Sequence, residues 1–223
     1  FRDKYLVSAV IRRDASSNFG PNNRFGYFPS ASAAWVISEE SFFESKAIDF
    51  IKLRASYGVI GNDKIPSFAY RALLGGEGVY PFNDQLNTGV AFGRLGNADL
   101  KWETTHQTNI GVDLSLLQDK VSITTDYYIK NTKDLLYAPD ISGVLGSAGA
   151  GTQPPFVNNG DVRNRGFEFL VTYTDKIVEG LNFSVSYNLT TIDNEITALP
   201  VEFRDSGGFS VGGNTTSREQ VGL

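Results

Sequence analysis

The chain carries few of the side chains from which catalytic centres are built. It has no cysteine and one histidine, His106. Thiolate chemistry and thiolate metal sites are therefore excluded, as is any zinc site that needs several histidines. A Ser-His-Asp relay would have to use His106. By strand alternation His106 shares a face with Thr104 and Ile110, where interfacial packing is the expected role. Glu39-Glu40 offers two carboxylates, but adjacent residues on a short turn do not converge on one reacting atom. Ser38-Glu39-Glu40 is expected to cap a short helical turn instead. The glycine-rich residues 143–151 lack the G-x-x-x-x-G-K-[ST] order of a phosphate cradle and read as a surface loop. Asn97-Ala-Asp99 and residues 158–164 present oxygen ligands without the spacing of a calcium loop. No metal, no cofactor and no enzymatic activity are expected. Asn182, Asn188 and Asn214 open N-x-[ST] triplets, but the first two fall inside a strand and all three read as chance matches.

The formal net charge is −5, which argues against nucleic acid as the main partner, since phosphate binding needs a basic face. Abundant Tyr, Phe, Gly and Asn favour strands and turns. No run of about 18 apolar residues is present, so no transmembrane helix is expected. The first thirteen residues already read as a strand, and the chain is expected to be a segment of something longer.

The dominant pattern is period-two alternation, which gives a sheet one apolar and one wet face. Strands are expected at about residues 3–13, 27–38, 50–60, 102–117, 121–130, 165–174 and 181–192. In the third, Ile51, Leu53, Ala55, Tyr57 and Val59 oppose Lys52, Arg54, Ser56 and Gly58; in the last, Leu181, Phe183, Val185, Tyr187 and Leu189 oppose Asn182, Ser184, Ser186, Asn188 and Thr190. The wet faces also carry Arg12, Glu103, Asp113, Asp126 and Glu168.

Between these strands the connections alternate: long at 14–26, compact at 38–49, long at 61–101, tight at 118–120, long at 131–164, short at 175–180, then a polar tail. In an up-and-down antiparallel sheet every second connection falls at the same end. All long loops then lie at one end and all short turns at the other, the asymmetry of transmembrane barrels. Strands of 9 to 11 residues suffice to cross a bilayer when tilted. Trp35 near the short-turn end and Trp102 at the long-loop end are expected in interfacial girdles. The long loops carry Tyr70, Tyr80, Phe82, Phe92 and Tyr137, whose flat rings suit sugars or peptide side chains; loop-to-loop or lid packing is the competing role.

Certain words are specific enough to name a family. Tyr5-Leu-Val-Ser-Ala-Val-Ile-Arg-Arg-Asp14, Phe28-Pro-Ser-Ala-Ser-Ala-Ala-Trp35, Leu53-Arg-Ala-Ser-Tyr-Gly58, Asn97-Ala-Asp-Leu-Lys-Trp-Glu103, Asp126-Tyr-Tyr128 and Asn159-Gly-Asp-Val-Arg-Asn-Arg-Gly-Phe-Glu168 follow one another along the chain. Together they resemble the barrel of SusC/RagA-type TonB-linked outer-membrane transporters. The matching positions include Arg12, Asp14, Trp35, Tyr57, Gly58, Trp102, Glu103, Asp126, Tyr127, Tyr128, Gly166 and Glu168. No such word is found after about residue 199.

The resemblance implies an all-β fold, part of a large antiparallel transmembrane barrel of about 22 strands with an N-terminal plug. It implies import of oligosaccharides or oligopeptides across the outer membrane of a Gram-negative, Bacteroidetes-like bacterium. TonB would drive transport through a region outside this segment, and a SusD-like surface lipoprotein would act as lid, in a dimer of importer–lid pairs. Residues 1–199 are expected to supply barrel strands and extracellular loops; residues 200–223 stay unassigned, and the plug is absent. About seven strands cannot close such a barrel, so the segment is not expected to fold stably alone. Two other functions remain open: a surface β-domain that holds glycan without transport, and an outer-membrane hydrolase or protease.

Overall fold

The computed structural model describes residues 1–139, 154–178 and 181–198, with the backbone of two further two-residue strands, Phe209–Ser210 and Arg218–Glu219. In chain order the strands are β1 (Tyr5–Ala15), β2 (Phe25–Val36), β3 (Ile48–Asn62), β4 (Leu73–Phe82), β5 (Gln85–Arg94), β6 (Glu103–Leu116), β7 (Val121–Lys133), β8 (Leu136–Tyr137), β9 (Val157–Asn158), β10 (Asp161–Val178) and β11 (Leu181–Ala198). Seven of them form one antiparallel sheet in the order β1-β2-β3-β6-β7-β10-β11. These are the seven expected strands.

The other strands are insertions that alternation did not reveal. β4 and β5 form a separate hairpin inside the expected loop 61–101, and β8 pairs with β9 inside the expected loop 131–164. The hairpin closes on Asn83 and Asp84, both with positive φ, as a two-residue primed turn requires. Several expected strands also run longer than their apolar stretches. β10 and β11 span 18 residues each, because backbone pairing continues beyond the stretch in which apolar and polar residues strictly alternate.

Residues directly opposite in a sheet share a face. One face therefore collects Val7, Ile11, Leu53, Ile110, Tyr127, Phe167, Val185 and Leu189, all well exposed. The other collects Ser8, Ser32, Ser56, Asn109, Arg54, Asp126 and Glu168. No second layer covers either face among the described residues. The buried apolar cluster lies elsewhere, among the long connections: Phe19, Ile65, Ala69 and Leu100, with Tyr70, Trp102, Leu136 and Phe156 against it.

Candidate functional site

At the long-loop end, three connections are locked into one rim. Phe19 and Leu100 are fully buried in it. Phe19 meets Trp102 at 5.3 Å and Trp102 meets Phe28 edge-on at 5.2 Å. Gly26 and Gly61 flank the Phe28 ring so closely that a Cβ on either would overlap it. Polar side chains tie the same loops. Glu103 accepts from Asn62 Nδ2 at 3.0 Å and from the Leu136 amide at 2.9 Å. Asn158 donates to the carbonyls of Lys101 (2.8 Å) and Asp134 (3.0 Å) and accepts from the Lys101 amide. Asn97 donates to the Phe156 carbonyl, and Asp63 accepts from Ser16 at 2.6 Å. Asn97 and Asn158, which sequence reasoning offered as cation ligands, thus spend their amides on backbone partners.

Lower on the polar face lies a charged cluster. Arg54 on β3 holds Asp113 through two nitrogens at 2.9 Å and Asp126 on β7 at 3.0 Å. Lys52 reaches Asp113 at 2.8 Å. Arg54 and Asp126 belong to strands that do not touch; Gly111 on β6 stands between them in the register. One row higher, Tyr128 lies over its cross-strand partner Gly166, where a Cβ would strike the phenol.

The short-turn end has its own clip. Glu40 accepts from Tyr5 Oη at 2.6 Å, Trp35 Nε1 at 3.0 Å and Lys4 Nζ at 3.1 Å. The hydrogen bond from Tyr5, then those from Trp35 and Lys4, hold its carboxyl down to about 2. The short helical turn Ile37–Glu39 is present, but Val36 stands at its N-cap with no side-chain hydrogen bond. Ser38 is therefore not the cap, and Glu40 is not a merely solvated carboxylate.

Residues 1–220 match the family described as TonB dependent receptor-like, beta-barrel. The chain belongs to that family. A TonB-dependent receptor of Formosa agariphila is 39% identical over 96% of this chain and 19% of its own length. TonB-dependent receptor SusC of Bacteroides thetaiotaomicron is 33% identical over 88% of this chain and 20% of its own. The RagAB peptide importer in its open-open state superposes with a TM-score of 0.84 at 26% identity, over all of this chain and 23% of that one. The chain thus spans about a fifth of the length of the relatives it matches, and the seven-stranded sheet is an arc of a TonB-dependent receptor barrel.

Within that arc the family words divide by role. Arg12 pairs with Asp14 at 2.7 Å on the polar face. Trp35 sits on the apolar face at the short-turn end, stacked on Tyr5. Trp102, expected in a girdle, turns inward: its indole donates to the Arg24 carbonyl at 3.3 Å and its ring fills the rim. The difference arises because Gly26 and Gly61 open a slot beside Phe28. His106 stands on the expected face and bonds Tyr57 Oη through Nδ1 at 2.8 Å. Gly58 faces Ser30 with ordinary spacing. Tyr127 is exposed on the apolar face. Glu168 is exposed on the polar face beside Asp126.

The loop aromatics are not gathered together. Tyr70 packs against the buried rim, and Tyr137 is half-buried on β8. Tyr80 and Phe82 are exposed on the β4–β5 hairpin. Phe92 lies on β5, with its side chain outside the described residues. Residues 143–151 and Asn214 also fall outside them. Sequence reasoning did not find the Glu40 clip, the Glu103 and Asn158 ties, or the pairing across Gly111. Only the last left a usable signal: a glycine between charged strands on the polar face.

Proposed function

We propose that the chain is part of the wall of an outer-membrane importer that moves oligosaccharides or oligopeptides, energised through TonB and closed by a SusD-like lipoprotein. The observation that carries this reading is the slope of the apolar band. One register row runs Tyr5, Trp35, Leu53, Val112, Thr125, Phe169, Leu189 across all seven strands. Tyr5 opens the apolar run of β1, which rises through Val7 and Ala9 to Ile11. Leu189 closes the run of β11, which rises through Phe183, Val185 and Tyr187. The band therefore drifts by about one residue for each strand crossed. With about 3.3 Å per residue and about 4.8 Å between strands, this corresponds to a tilt of roughly 35°. A level slab of lipid crossing strands tilted by about 35–45° imposes that drift.

Exposed polar and charged groups on the opposite face suit a wet lumen, and a rigid rim suits loops that present a variable tip. The likeness to the RagAB peptide importer supports a peptide cargo, and the oligosaccharide alternative follows from the family resemblance of the barrel words. The test is fractionation of cells producing the parent protein. The expected result is a heat-modifiable band in the outer-membrane fraction that co-purifies with a lipoprotein, and loss of oligomer uptake on deletion. A soluble, unshifted protein that binds glycan would overturn the reading in favour of a non-transporting surface domain.

A further inference from the structure

We infer that Arg13, with Phe25 and Tyr27, forms a site on the outer wall for the phosphate of an outer-leaflet membrane lipid. This rests on the barrel reading above. Arg13 shares the apolar face with Tyr5, Val7, Ala9 and Ile11 and comes next after Ile11, where the apolar run of β1 ends. Two residues along a tilted strand raise it by about 5 Å above the hydrocarbon edge. Tyr27 is its direct partner on β2, and Phe25 pairs with Ala15 one step further out. Both rings are more than half exposed. This is the level at which aromatic side chains and lipid headgroups meet.

The guanidinium carbon lies 4.0 Å from the Phe25 ring centroid and 5.8 Å from that of Tyr27. Stacking on one ring fixes the plane of the guanidinium and leaves its N–H edge directed away from the rings. The other arginines with described side chains on the seven-stranded sheet have carboxylates: Arg12 has Asp14, Arg54 has Asp113 and Asp126, Arg163 has Glu195 and Arg165 has Asp193. Arg13 has no carboxylate partner among the described residues. A planar fork of donors at headgroup depth, with its charge uncompensated, is matched by a lipid phosphate, which accepts two parallel N–H bonds. The rings on either side suit the glycerol or sugar carbons next to that phosphate.

The experiment uses the whole parent protein, purified from outer membranes in mild detergent and delipidated. Native mass spectrometry then follows adducts with diphosphoryl lipid A, with phosphatidylglycerol and with inorganic phosphate. The wild type should hold a lipid adduct that Arg13→Gln weakens roughly tenfold, and Phe25→Leu should weaken it less. Lipid A alone giving the adduct identifies a phosphorylated glycolipid; equal adducts with phosphatidylglycerol identify any lipid phosphate. Unchanged lipid adducts in Arg13→Gln, or adducts equally strong with inorganic phosphate alone, would overturn the site. If Arg13→Gln loses its heat-modifiable band, Arg13→Lys keeps the charge without the planar fork and must still weaken the adduct. A folded outer-membrane protein with unchanged adducts sinks this site alone, whereas absence from the outer membrane sinks the importer reading.

Discussion

Arg54 and Asp126 are joined at 3.0 Å although a whole strand separates them. The bridge passes over Gly111, the one position in that row without a side chain to block it. A Cβ at Gly111 would overlap the Asp126 carboxylate and crowd the Arg54 guanidinium. Gly111→Ala is therefore expected to displace the pair and lower stability by about 1–3 kcal/mol. The temperature at which the folded, fast-migrating band of the parent protein disappears on gels measures this. An unchanged temperature would mean that the bridge relaxes without cost.

The rim makes a separate prediction. Leu100 is fully buried against Phe19, Ile65 and Ala69, so Leu100→Ala should cost about 2–5 kcal/mol of local stability. None of the four buried members lies on the seven-stranded sheet, and Phe28 of β2 reaches them only through Trp102, so the loss should appear as faster proteolysis of the long loops before any earlier loss of the folded band. Equal effects on both would show that rim and wall unfold as one.

Glu40 supplies the pH dependence. Its carboxyl is held at about 2, below the usual 4.5, by donors from Tyr5, Trp35 and Lys4. A depressed carboxylate contributes stability above its unfolded value and loses it as pH falls through the folded one. The clip should thus persist at pH 4.5 and release between there and about pH 2. The difference in tryptophan emission between the parent protein and its Trp35→Phe variant reads the release, and Glu40→Gln should abolish the transition. A transition centred near pH 4.5 would contradict the three-donor arrangement.

Much of this was legible in the residues. Alternation located all seven strands of the sheet, because a surface wet on one side and oily on the other leaves a period of two. It failed where that contrast ends. The hairpin from Leu73 to Arg94 is exposed around Val79, Tyr80, Leu86 and Val90 and glycine-rich at Gly75, Gly76, Gly78 and Gly89, so no single buried face imposes a pattern. The pair Asn83-Asp84 favours a tight turn, the one local sign of the hairpin that its residues carry. Glu40 could not be assigned in advance, since Tyr5 lies 35 residues away and only the β1–β2 register brings it close. Trp102 was misplaced because two distant glycines, Gly26 and Gly61, decide which way it turns.

Tyr80 and Phe82 make the functional prediction. They are exposed on a hairpin at the long-loop end, away from the buried rim. Replacing both by serine in the parent protein should reduce uptake of its oligomeric cargo several-fold while leaving the folded band intact. Unchanged uptake would remove them as contact residues.

The slope of the apolar band is tested most directly by depth measurements. This chain has no cysteine; once any cysteine elsewhere in the parent protein is replaced, single cysteines at Val7, Val185, Thr191 and Ser8 can each carry a fluorophore in that protein reconstituted with brominated lipids. Val7 and Thr191 share a register row, whereas Val7 and Val185 share only the tilted band. Quenching should place Val7 and Val185 at equal depth in the hydrocarbon, Thr191 nearer the outer surface, and Ser8 out of reach of the lipid. Equal depths for Val7 and Thr191, or no lipid quenching at any of the four, would contradict the tilted membrane wall.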